Sequence, residues 1–281
     1  MTGTRHTAVT SATPAGDVAK VEARRPRGTI RIPRFLSIVL LFALWEALPR
    51  SGIVSADTLP PFSVALATAA QLSLSGELLP NLLSSLYRWA IGFAISLSFS
   101  IPAGMAMARN VSVRNFLDPV LTATYPIPKA ALILIVMMWL GAGDVSKILV
   151  IVLGTSIPVV ISSFHGAQGV DRNLIWSALA MGTNPRLVLF KIILPAAMPQ
   201  ILSGIRMALS VSLIALLGSE MIARQSGLGY LLFSSLDVKN YSLSYSIMLV
   251  IAVVGFILDW SFVAFMNRSL SWMEREEGTN G

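Results

Sequence analysis

Two carboxylates, Glu220 and Asp259, sit inside long apolar runs, where a charge is costly unless it meets a partner or lines a polar path. Asp259 falls about two-thirds of the way along the run 245–266. Glu220 lies near the end of the run 199–222, in Gly218-Ser-Glu-Met-Ile-Ala223, with no partner evident in the sequence around it. An ion-coupled secondary transporter would need such a residue near the midplane of broken helices; Asp259 is the only central carboxylate that suits it, and no inverted repeat is visible. Pro126 and Pro128 flank Ile127 and precede Lys129, a set that lipid tolerates only where protein or water covers it. In one reading these prolines line a pathway. In the other the span starts after Lys129 and leaves 125–129 at the interface.

Enzymatic groupings are missing. The chain has no cysteine, which excludes thiolate catalysis, disulfides and cysteine-based metal sites, and its two histidines, His6 and His165, cannot build a metal site alone. The nearest approach to a phosphate-binding loop, Gly141-Ala-Gly-Asp-Val-Ser-Lys147, lacks the second glycine and the hydroxyl after the lysine. No cofactor is expected on this chain, and no ATP hydrolysis.

Of the 281 residues 54% are hydrophobic and only 12% charged, about half the charged share of a soluble domain. The mean hydropathy is +0.72. The composition is that of an all-α polytopic membrane protein. A net charge of +7 does not point to nucleic acid, because seven of the 21 Lys and Arg residues (Arg5, Lys20, Arg24, Arg25, Arg27, Arg31 and Arg34) precede the first apolar run. They read as a cytoplasmic flank. Residues 1–34 are expected to form a disordered cytoplasmic tail, 35–268 the membrane domain and 269–281 a second cytoplasmic tail. A signal peptide is the rival reading of the start, against which stand the length of the basic region and the lack of a small-residue cleavage pattern.

Six spans are expected, with both termini in the cytoplasm. The first begins at Phe35, but only 35–45 is free of charge before Glu46, short of the ~20 residues a bilayer needs. Residues 51–79, with Asp57, Glu77 and no Lys or Arg, are expected outside. The second span lies between Arg88 and Arg109, and in it Gly92, Ser96, Ser100, Gly104 and Ala108 recur every fourth residue, the pattern of a close helix–helix seam. Pro102 within it is expected to kink the helix or free a carbonyl. The third runs from Phe116 to about Gly143, and the fourth between Lys147 and Asp171. The fifth, 199–222, carries a second small-residue row, Gly204, Ala208 and Ser212, and Arg206, which is expected to snorkel. The sixth is 245–266.

Between the fourth and fifth spans, 171–198 mixes charges with a helical apolar pattern. Gly182 can end one helix with a positive φ, and Thr183-Asn184-Pro185 starts another, which is expected to run on toward Pro195. Ala178, Gly182 and then Ile192-Ile193-Leu194-Pro195 resemble the EAA loop of ABC-transporter permeases: E-A-A, three residues, G, nine residues, I-x-L-P. The leading Glu is absent, and Trp176-Ser177 stand where Glu-Ala would be. Leu59-Pro60-Pro61 and the stretch from Pro126 to Lys147 resemble the permease group for nitrate, sulfonates, taurine and related solutes.

That resemblance implies the subunit of an ABC importer in the bacterial cytoplasmic membrane. The loop would be the coupling helices that dock on separate ATP-binding subunits, with Gly182 making the turn and Arg186 and Lys191 pairing with acidic groups there. Trp176 would replace the family's glutamate by an aromatic anchor. It also implies a second permease chain, as a homodimer, and an extracytoplasmic binding protein that delivers the solute.

Overall fold

In lipid every backbone N–H and C=O must find its partner within the segment, so the apolar runs of this chain are committed to helices. The computed structural model describes residues 36–271 and contains, in order, α1 (Leu36–Arg50), α2 (Phe62–Leu74), α3 (Leu78–Arg109), α4 (Val111–Thr124), α5 (Lys129–Leu140) and α6 (Asp144–Gln168). These are followed by α7 (Arg172–Ala180), α8 (Pro185–Val188), a π-helical turn (Leu189–Ile193), α9 (Leu194–Ala223), α10 (Leu228–Asp237) and α11 (Tyr241–Ser269). No strand occurs among the described residues. Four helical runs there are long and apolar enough to cross a membrane: α3, α6, the run from α8 through α9, and α11. The other two expected spans fall on α1 and on the pair α4 and α5. The tail expected over 1–34 and most of that over 269–281 lie outside the described residues.

The chain divides into two units, Met1–Leu41 and Phe42–Gly281. Within the second, α6 is the central helix, packed against α3, α9 and α5, while α11 is scarcely buried. Both small-residue rows face this centre. Gly92, Ser96, Ser100 and Gly104 are buried, and a Cβ at Gly104 would strike the Val160 carbonyl and lie 2.7 Å from Ser163 Cβ. A Cβ at Gly204 would run into the Ser162 side chain. Only residues this small let α3 and α9 approach α6 so closely.

Three expected boundaries move. α3 starts at Leu78 rather than after Arg88, because Arg88 is buried inside the helix and paired there. The stretch expected as an outer loop contains α2, whose first turn is capped by Glu46: the carboxylate accepts from Ser63 N at 2.9 Å and from Ser63 Oγ at 2.8 Å. The third span is broken at 125–128, where Pro126 and Pro128 lack the N–H donors that would continue the helix. Pro102, by contrast, is accommodated within an α3 that runs on without a break.

Candidate functional site

The loop between α6 and α9 is fixed by local chemistry. Asp171 caps α7 by accepting from Asn173 N at 2.8 Å. The helix ends with Gly182 at φ +80°, Gly182 N bonded to Leu179 O at 2.9 Å and Thr183 N to Ala178 O at 3.1 Å. This paired closure needs a left-handed residue, which a side chain disfavours. Asn184 then caps α8, accepting from Arg186 N at 2.9 Å, with Pro185 in the first helical position. Pro195 does not end the second helix: Pro185–Ala223 is one helical run of 39 residues. The π turn just upstream, where Leu194 N bonds to Leu189 O, widens the helix where the proline ring would otherwise meet the carbonyl four residues back.

Ile175, Ala178, Val188 and Ile193 anchor this loop in the core. The opposite side is apolar yet exposed: Trp176 at 61%, Met181 at 79%, Leu187 and Phe190. Arg186 and Lys191 are exposed among them, Ile192, Leu194 and Pro195 half-buried. The turn thus offers a tryptophan, a phenylalanine and two flexible apolar side chains to the outside.

At the opposite end of α9 lies a charge network that reading the sequence missed. Glu220 is fully buried and accepts from Arg88 Nη1 at 2.8 Å, from Ser85 Oγ at 2.8 Å and from Gly229 N at 3.0 Å. Arg88, 4% exposed, also donates from Nε to Asp144 at 2.8 Å, and to Ser226 O at 2.9 Å and Ser226 Oγ at 2.6 Å. One guanidinium thus joins α3, the start of α6, the end of α9 and the turn before α10. Lys147, fully buried, has its Nζ 4.0 Å from the same Asp144 oxygen and without a hydrogen-bond partner among the described residues. The signal was present: Arg88 stands four residues before Gly92, and Glu220 continues the four-residue spacing of Gly204, Ala208 and Ser212.

Asp259 holds Arg206 through two bonds of 2.9 Å between α11 and α9, so Arg206 is paired rather than snorkelling. Pro126 and Pro128 lie exposed in the break between α4 and α5. The structure therefore gathers the loop residues into one surface, but scatters Pro126, Pro128, Glu220 and Asp259 over three places.

The family described as binding-protein-dependent transport system inner membrane component matches residues 100–270. The chain is 33% identical over 271 residues to a Bacillus subtilis (strain 168) permease protein named SsuC for aliphatic sulfonates transport, a match covering 94% of this chain and 98% of that one. It is 30% identical over 241 residues to the taurine transport system permease protein TauC of Escherichia coli (strain K12), with 84% of this chain and 88% of that one covered. An inward-facing form of the MetNI methionine ABC transporter shares the fold, with a TM-score of 0.60 at 12% identity over 70% of this chain and 98% of that chain.

Proposed function

We propose, for a chain that belongs to the family of binding-protein-dependent transport system inner membrane components, the role of permease subunit in an ATP-driven ABC importer of short-chain sulfonates or taurine-like solutes. The observation that carries this reading is the loop: a glycine-closed turn, anchored by four buried apolar residues, that presents Trp176, Met181, Leu187 and Phe190 outward beside Arg186 and Lys191. It fits a groove on a separate ATPase, which binds the ATP that this chain does not. Because α8 runs into α9 as one helical path, a shift of the loop moves α9 and, through the tight seam at Gly204, α6. The nucleotide state of the motors thereby biases the spans between inward-open and outward-open arrangements, as any differential binding does. Two copies of this chain enclose the pore, a binding protein delivers solute from outside, and both termini and 171–198 face the cytoplasm.

The ion-coupled secondary transporter is the weaker reading. Asp259, the carboxylate it relies on, has both oxygens engaged by Arg206, as Glu220 is engaged by Arg88, so neither stands open to a coupling ion.

Co-purification tests the assignment. The chain, expressed with the ATPase encoded beside it, is expected to retain that ATPase through affinity purification, and Trp176→Ala to weaken the retention by about tenfold, the ~1.4 kcal/mol scale of one aromatic anchor. A chain that retains no Walker-motif ATPase yet drives uptake under an ion gradient would reverse the choice.

A further inference from the structure

Two cavities open along one face of α6. One, of about 440 Å³, lies between α6 and α9 near the middle of both helices, with Pro158, Ile161, Ser162, Met207 and Val211 in its wall and Tyr125 from the break between α4 and α5. The other, of about 360 Å³, lies toward the loop end of α6, and Arg114, Asp118, Thr122 and His165 line it together with Tyr125 and Ile161. Both volumes are in the range of small-molecule sites. The cavities share Tyr125 and Ile161 and so adjoin at that pair. From Gly154 in the first to His165 in the second they follow about 16 Å of helix axis.

Their walls differ in chemistry. The first is made of aliphatic and thioether groups with two hydroxyls. The second brings a guanidinium, an imidazole and two hydroxyls, with Asp118 as its one carboxylate. Arg114 is stacked over the Phe164 ring, 4.9 Å from its centre, which holds the guanidinium by its face and leaves its N–H edges for other groups. Among the described residues no carboxylate lies within ion-pair distance of it. An apolar chamber followed by one with an unpaired cation suits a solute with a short hydrocarbon stub and an anionic head.

We propose that these cavities are consecutive stages of the solute's route, on this chain's side of the pore that two copies enclose. Tyr125 and Ile161 form the narrow point between them, and Arg114 with His165 receives the anionic head of a short-chain organic anion as it leaves toward the loop side. The assignment of the anion rests on the importer reading above; the route itself rests on the cavities.

The cysteine-free chain permits a direct test. Single cysteines at Ile161, Met207 and Thr122 are placed in the assembled complex in inverted membrane vesicles. They are then treated with 2-sulfonatoethyl methanethiosulfonate or with its trimethylammonium counterpart. All three positions are expected to react, and Ile161→Cys to prefer the sulfonate reagent by about tenfold, the low end of what a charged cleft achieves because Asp118 offsets part of the field. Arg114→Gln is expected to abolish that preference. Tyr125→Trp is expected to slow labelling at Met207→Cys while leaving Thr122→Cys unchanged. Unreactive Met207→Cys, or a preference that survives Arg114→Gln, overturns the proposal. Labelling needs no transport, so it is separable from the substrate reading. A wild-type complex that takes up no ethanesulfonate in the presence of its binding protein refutes the solute class, and an unreactive Met207→Cys refutes the route.

Discussion

Removing the carboxylate of Glu220 should destabilise the assembled permease markedly. Glu220→Ala deletes the bond to Arg88 and strands Ser85 Oγ and Gly229 N, in a site where Glu220 is fully buried and Arg88 4% exposed. Breaking a buried ion pair from one side costs about 3–5 kcal/mol, because the surviving charge is left unbalanced. Asp144 still touches Arg88 but is half-exposed, so it supplies only part of the missing charge. The lower figure, about 3 kcal/mol, is therefore expected, roughly 150-fold in equilibrium. For a chain of this size that corresponds to a fall in Tm of roughly 6–12 °C. Size-exclusion chromatography of the detergent-solubilised complex after stepwise heating reads it out. Asp144→Asn, at a half-exposed carboxylate that serves both Arg88 and the buried Lys147, should cost less than Glu220→Ala. The double variant Arg88→Met with Glu220→Leu should recover most of the loss, since apolar replacement of a whole buried pair is often neutral. A Tm for Glu220→Ala within 1–2 °C of wild type, or one no lower than that of Asp144→Asn, would refute the account of the network as a buried structural joint.

Gly182→Asp should insert normally and fail to drive uptake. Nothing lies within 4 Å of a Cβ there, so its effect comes from forcing a side chain to φ +80°, about 1–2 kcal/mol, and from a new charge in the docking surface; ATPase retention equal to wild type would exclude it. Gly104→Leu should lower the yield of assembled complex at equal synthesis, because its first carbon already meets the Val160 carbonyl and overpacking costs about 1–3 kcal/mol or more. Normal assembly would mean α3 and α6 can separate freely. Asp57→Cys, exposed between α1 and α2, should be blocked in whole cells by a membrane-impermeant thiol reagent; protection there would invert the topology.

The four long helices were legible because their apolar runs are long, and the loop turn was legible because Gly182, Asn184 and Pro185 each act on their own backbone. What failed was the rule that a charge marks the end of a span. Arg88 and Lys147 look like boundaries in the sequence, whereas both are buried within helices, and the partners that permit this are Asp144 and Glu220, the latter 132 residues away from Arg88 in the chain. The pairing of Arg206 with Asp259 spans 53 residues and left no local trace either. Periodicity was the better guide. The same four-residue spacing that identified the small-residue seams passes through Arg88 and Glu220, and extending the rows outward would have brought the two charges together. The sequence carries the second helix only toward Pro195, and the π turn that takes it past the proline depends on a backbone register that composition does not reveal. α2 was overlooked because a mostly apolar stretch of thirteen residues is too short to span and looks like loop when the helix that covers it, α11, is far along the chain.

The central position of α6 also governs how the chain can be made. One of its two main neighbours, α3, precedes it in synthesis, and the other, α9, follows. Until α9 emerges, the face at Ser162 that Gly204 will press against has no protein to meet, on a helix that also buries Ser146, Lys147, Thr155 and Ser163. A lysine at the middle of an inserted helix costs about 2.5–3.5 kcal/mol, and less near an end, where Lys147 lies. A chain that stops before α9 therefore leaves α6 covered by α3 on one side and bare on the other.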